Sequence, residues 1–363
     1  MFWKGLIILA VSLAVSSAAT KLLIPLLRRK GVLDIPNSRS SHTSPVPRGG
    51  GMGILAGLAA GFGATWMMGL NVAHFDLFLA AGLIALTGLI DDRAGGLPAL
   101  VRLAAQILAA AVIVFQSGGL SNLPLPAPLD IQLGVLAKPV ALLWIVGVTN
   151  LYNFLDGIDG FAGLQGVIAG LAIAVVGGGG GISTAGLALA GACFGFLVFN
   201  WHPARIFMGD VGSGTVGFII AALPLQLTPA ARGKGVFSVA IFLWFFLSDG
   251  SFTIARRLLL GHKVWDAHCT HLYQRLVKTG LNHAQVVVRV GLGATFLAGM
   301  ALLASLIDTE SACWVVLVIA MAGFVFYYLW TSKREGSPPF ARSQASTHIP
   351  PSGEASVIQI VRR

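Results

Sequence analysis

About 11 apolar runs, each long enough to cross a bilayer, leave this 363-residue chain few ways to fold. They lie near residues 3–23, 51–70, 74–90, 99–116, 138–154, 160–177, 183–200, 212–229, 236–255, 285–306 and 312–331. A spanning helix needs about 17–25 mostly apolar residues. Lipid offers the backbone no hydrogen-bond partner, so every run is expected to be helical. With 56% of residues hydrophobic and 10% charged, the chain carries more apolar surface than a water-soluble domain can bury. The expected fold class is an all-α polytopic membrane protein with about 11 transmembrane helices, residues 1–331 forming one domain. Residues 332–363, rich in Ser, Pro and Arg, are expected to form a disordered tail.

Basic residues orient the bundle. With the N-terminus outside, 20 of the 24 Lys and Arg residues fall on the inner side, and only Lys4, Lys138, Arg232 and Lys234 fall outside. That asymmetry implies an outer N-terminus and a cytoplasmic C-terminus. Lys4 followed by an apolar run resembles a secretory signal, but Lys21, Arg28, Arg29 and Lys30 follow at once and argue for an uncleaved first span. The charge of +10 is thus spent on orientation, and no nucleic-acid partner is implied. The three cysteines have no paired spacing, which argues against a disulfide framework or a zinc site.

Polar residues at the edge of apolar helices are costly and mark candidate sites. In this topology they gather on the cytoplasmic face. Asp91 and Asp92 end the third run; neighbours on a helix point about 100° apart, so the two acids should do different work. From Asn150, polar groups recur at Asn153, Asp156 and Asp159, and Gly157 and Gly160 imply that the helix ends near Asp156 and turns. Asp210 opens the eighth run behind Phe207, a flat face for a base or sugar. His268 and His271 share a helix face, with Arg275 one turn on. Arg48, in a glycine-rich loop with His42, is suited to phosphate. His74, His202, His262 and His283 read as interfacial or loop residues. A carboxylate-rich cluster of this kind suits a hard cation held against phosphates.

The segments Asp91-Asp92, Asn-x-x-Asn-x-x-Asp-Gly-x-Asp-Gly from Asn150, and Phe-Asn-x-x-Pro-Ala-x-x-Phe-Met-Gly-Asp-x-Gly-Ser ending at Ser213, with the later histidine motif, resemble the polyprenyl-phosphate N-acetylhexosamine-1-phosphate transferases. The resemblance spans about Pro45 to Arg275. It implies a bacterial inner-membrane enzyme that transfers N-acetylhexosamine-1-phosphate from a UDP-sugar to undecaprenyl phosphate and releases UMP. The implied cofactor is Mg²⁺, with Mn²⁺ as the other candidate. By resemblance, Asn153 and Asp210 are metal ligands, and Asp91, Asp92 and Asp156 serve catalysis. Arg48, Asp159, Phe207, His268, His271 and Arg275 bind substrate. A homodimer is left open. His268-Cys-Thr-His271 departs from the His-x-His-His of GlcNAc-1-phosphate transferases and is closer to the subgroup that starts O-antigen synthesis with N-acetylfucosamine or N-acetylquinovosamine. GlcNAc is the alternative sugar. A secondary transporter is the rival of another class, but transport sites favour the midplane and repeated halves, whereas here the acids share one face.

Overall fold

A row of small hydroxyls on the first helix sets the packing of the bundle. The computed structural model describes residues 2–36, 44–72, 75–262 and 268–336. Helix α1 (Phe2–Arg29) buries Ser12, Ser16 and Thr20 completely. Opposite them α2 (Gly51–Met67) sets Gly61, Gly57 and Gly53, four residues apart. A Cβ on any of the three would fall within 2.6 Å of those side chains. The two helices therefore run antiparallel in close contact. On another side α1 meets α7 (Gly181–Asn200), where Gly191 and Gly195 lie against the Leu9 and Leu13 carbonyls and the Ser16 hydroxyl donates to Ala192 O at 2.7 Å. Between apolar helices in lipid, such small-residue contacts and hydroxyl bonds replace the hydrophobic effect as the source of association.

Helix α7 is accordingly central. Over its best 18-residue window it is 72% buried, against 22% for α1. Helix α6 (Phe161–Val176) packs on α7 too, while α3 (Phe75–Ala94) and α5 (Ala137–Phe154) pack on α8 (Asp210–Ala222) and α4 (Ala99–Ser117) lies against α3 and α5. Beyond Asp210 every residue of α8 is buried. The chain continues through α9 (Pro229–Phe242), α10 (Trp244–Leu259), α11 (Leu272–Lys278), α12 (His283–Ile307) and α13 (Glu310–Glu335). A two-residue ribbon, β1 (Leu33–Asp34) with β2 (Val46–Pro47), precedes α2.

Each expected apolar run contains helix, but the count of crossings differs. Six of the described helices are long and apolar enough to span, or seven if one bent pair is a single span. The others fall short for physical reasons. Helices α2 and α6 have 17 and 16 residues, α8 has 13, and α3 carries Asp76, Asp91 and Asp92. The run at 236–255 is not one helix: α9 and α10 meet at a 76° bend. A break inside a bundle frees backbone carbonyls, and Gln165 of α6 donates to one of them, Phe242 O, at 2.7 Å. At the far end of α13 the helix persists through Glu335, so residues 332–335, expected as tail, are helical. Residues 337–363 and His42 lie outside the described residues.

Candidate functional site

The end of α3 and the start of α8 are built as a pair. Asp91 and Asp92 stand near the C-terminus of α3, where carboxylates oppose the dipole of their own helix. The opposition is offset by a neighbour. Asp92 accepts from the backbone N–H of Asp210 (3.0 Å) and of Val211 (3.1 Å), so it caps the N-terminus of α8 from another helix. Gly88 makes the approach possible, since a Cβ there would lie 2.6 Å from the Asp210 backbone. Gly209 also contributes: its φ is +74° and its α-carbon faces the Asp92 carboxylate. Asp91 accepts from Leu97 N at 2.6 Å, lies 3.7 Å from Arg102 Nε and shares a side-chain hydrogen bond with Asp210. The two neighbouring acids thus make different contacts.

Asp210 is the hub. One of its oxygens takes Arg48 Nη2 and Asn153 Nδ2, both at 3.1 Å, and the other takes Arg102 Nη1 at 3.4 Å. Arg48 also bridges to Asp92 at 2.8 Å. Its position is fixed by backbone: the ribbon feeds it into a parallel bridge with Phe207, whose N–H donates to Pro47 O at 2.8 Å. Asn153, on the last turn of α5, also donates to Ser213 Oγ at 2.8 Å. Helix α5 ends at Phe154, close to where the glycines placed its end, and leaves Asp156 in the loop beyond. Among the described residues nothing donates a hydrogen bond to the Asp156 carboxylate. Burial, with Asp210, Asp92 and Asp159 close by and only partly offset by Arg48, lifts its carboxyl to about 7. Asn150 takes no part; it exchanges amide hydrogen bonds with Gln106 of α4 (2.6 and 3.3 Å).

Arg48, Asn153, Asp156, Asp210 and Ser213 line a cavity of about 250 Å³ with Phe207, Asp159 and His283. Asp159 is buried and clamped. Its Oδ2 lies 2.6 Å from His202 Nδ1, 3.2 Å from His283 Nδ1 and 3.2 Å from the N–H of Ala204. Burial alone would raise its carboxyl, yet the bonds from His283 and His202 outweigh this and hold it below the usual range. One side chain thus ties together the loops after α5 and α7 and the start of α12.

The histidine motif lies apart from this lining. His271 is buried against Asp249 of α10 at 3.3 Å, and the same carboxylate accepts from Leu272 N (2.9 Å) and Tyr273 N (3.2 Å). His268 lies beside His271, the rings tilted by 30° with centres 4.9 Å apart. Burial, together with His271 and Arg257, pushes the His268 imidazole down to about 4. Arg275, expected at substrate, is gripped by Glu335 of α13 at 2.5 and 2.8 Å.

Sequence reasoning brought Arg48, Asp91, Asp92, Asn153, Asp156, Asp159, Phe207 and Asp210 to one place. It did not single out Arg102, Gly88, Ser213 or Asp249, and it gave His202 and His283 only loop roles. His202 sits inside the Asn200–Ser213 segment, so its neighbourhood was a signal; Arg102 and Asp249 have none, because their partners are far away in sequence. The oxygen donors pass a test as a cation site. Asp210, Asp156 and the Asn153 amide are hard ligands, and four carboxylates, Asp91, Asp92, Asp156 and Asp210, face two guanidiniums. The unpaired, raised carboxyl of Asp156 is the mark of that excess. Asp159, His202 and His283 also bring ligand atoms within 4.8 Å of one another, but their hydrogen bonds already satisfy them.

Residues 74–228 match the family described as Glycosyl transferase family 4. A probable undecaprenyl-phosphate N-acetylglucosaminyl 1-phosphate transferase of Bacillus subtilis is 31% identical over 338 residues, covering 90% of this chain and 92% of the relative. A decaprenyl-phosphate N-acetylglucosaminephosphotransferase of Mycobacterium tuberculosis is 33% identical over 72% of this chain and 73% of its own length. An undecaprenyl-phosphate alpha-N-acetylglucosaminyl 1-phosphate transferase of Escherichia coli K12 is 28% identical over 83% of each.

Proposed function

Because the chain belongs to glycosyl transferase family 4, the polyprenyl-phosphate hexosamine-1-phosphate transferases, we propose that this pocket moves N-acetylglucosamine-1-phosphate from UDP-GlcNAc to undecaprenyl phosphate. The observation that carries the reading is the convergence of Asn153, Asp156, Asp210 and Arg48 in one cavity, with Arg102 reaching Asp210 from beside it. For the sugar, the relatives favour GlcNAc, the alternative, over the 6-deoxy sugars suggested by His268-Cys-Thr-His271. That motif does not line the cavity, so its missing third histidine says little about the hexose.

The acceptor phosphate monoester has a second pKa near 6 and is already an oxyanion at neutral pH. What it needs is neutralisation, because its target is also anionic. Its oxygen attacks the β-phosphorus, the bridge to the α-phosphorus breaks, and UMP leaves with the bridging oxygen. Asn153, Asp156 and Asp210 would hold Mg²⁺, which when bound supplies charge neutralisation and Lewis acidity to the diphosphate. Arg48 and Arg102, both part-exposed beside Asp210, offer guanidinium donors to the phosphoryl oxygens. Asp92 acts at one remove: as the cap of α8 it holds Asp210 in place. Phe207 offers a face to uracil. His283, held through Nδ1 against Asp159, lines the cavity beside the nucleotide. On this reading the site faces the cytoplasm, the source of the UDP-sugar.

Purified protein given UDP-GlcNAc and its 6-deoxy analogues should release UMP fastest from UDP-GlcNAc. Asp210→Asn should cut turnover by about 10²–10³-fold while expression and size-exclusion behaviour stay normal. Normal turnover in that variant would remove the reading.

A further inference from the structure

Arg289 stands where a guanidinium is costly. It lies on α12, six residues past His283, which is about 9 Å along the axis at 1.5 Å per residue. The side chain is exposed on a helix whose mean hydropathy over its best window is 2.0. Its Nη1 turns back to Gln285 O at 2.7 Å, toward the end of α12 that faces the pocket. Among the described residues no carboxylate comes within ion-pairing distance. A lipid-facing cation of this kind is tolerated when it reaches back toward a headgroup.

Next to it opens an apolar cleft of about 450 Å³ between α10, α12 and α13, lined by Phe245, Gly293, Phe296, Gly323 and Phe326, with Arg289 on its wall. The cleft exists because of its glycines. A Cβ on Gly293 would lie 2.8 Å from the Phe245 ring, whereas one on Gly323 would make ordinary contact at 3.7 Å. On α13, Phe326, Trp330 and Lys333 follow at i, i+4 and i+7, so exposed Lys333 shares the face that lines the cleft. An apolar slot with two cations at one end fits a lipid tail below a phosphate. Neither Arg48 nor Arg102 lines it, and none of its lining residues belongs to the catalytic cavity.

We propose that this cleft holds an anionic phospholipid of the bilayer, one acyl chain between α10, α12 and α13 and its phosphate on Arg289. The site is separate from the reacting pocket and rests only on the membrane reading of the fold.

The test is native mass spectrometry of delipidated protein titrated with phosphatidylglycerol, phosphatidylcholine or undecaprenyl phosphate. Phosphatidylglycerol should be retained about fivefold better than phosphatidylcholine, the gain of one basic contact. Arg289→Gln should erase that preference, and Gly323→Leu should lower retention of both phospholipids, with size-exclusion profiles unchanged. Equal retention of the two lipids, or a preference that survives Arg289→Gln, overturns the proposal. So does undecaprenyl phosphate displacing phosphatidylglycerol from the Arg289-dependent site, which would make the cleft an acceptor groove. A dimer lost in Gly323→Leu with lipid retention intact would make it a subunit interface. If Gly323→Leu does not fold, Arg289→Gln alone decides.

Discussion

Two aspartates in this protein are each held by histidine, and they do opposite things. Asp159 lies in the loop after α5, meets His202 and His283, and lines the cavity. Asp249 lies inside α10, meets His271, and spends its other bonds on the first two N–H groups of α11, on Thr253 and on Tyr327. Read as a string, the chain favours the second cluster, because His268 and His271 have motif spacing while His202 and His283 are 81 residues apart. Folded, the order reverses. The lesson is that a histidine's chemistry is set by what else its carboxylate must satisfy. Asp249 is consumed by backbone; Asp159 faces a space that a substrate can enter.

The contrast can be broken most sharply at Asp249. Asp249→Ala should destabilise the fold by about 3–5 kcal/mol, because it strands buried donors on three elements. Thermal unfolding in detergent would show it, and molecules that remain folded should keep their KM for the nucleotide sugar. Asp159→Asn should do the reverse, raising that KM about tenfold or more with a smaller fall in melting temperature; a change in melting temperature alone would mean that both clusters are merely structural. His283→Ala removes one hydrogen-bonding group of the pocket, worth about 0.5–1.5 kcal/mol, so KM should rise up to about tenfold with kcat little changed. The smallest effect concerns His268. Its folded value, about 4, lies below the unfolded value near 6.5, so the folded state binds fewer protons between the two. Its contribution to stability is whole above about pH 6.5 and is lost as the pH falls toward 4. His268→Gln should flatten that part of a melting-temperature profile and leave the activity profile near pH 7 unchanged.

How much of this was legible beforehand can be judged from single residues. Asn153, Asp156, Asp159 and Asp210 were legible because a charge or amide beside apolar helices is expensive, and glycine spacing showed where α5 stops. The break between α9 and α10 was not, because Ile241 to Phe246 are all apolar and composition carries no sign of a bend. Arg275 gave no sign of its ion pair, for a related reason. Its partner, Glu335, is 60 residues away on α13, and no local rule links the two.

The sequence by itself determined that helices in lipid would form, roughly where most of them begin and end, and which polar groups were costly enough to mark candidates. Those conclusions follow from short-range physics: hydropathy along one helix length, glycine at its ends, and charge at its flanks. Tertiary structure alone decided which of those groups meet. Asp92 caps α8 only because Gly88 lets two backbones nearly touch, and His283 reaches Asp159 only because α12 returns to the same end of the bundle. Such meetings depend on the packing of whole helices, and that packing is a property of all the interfaces together.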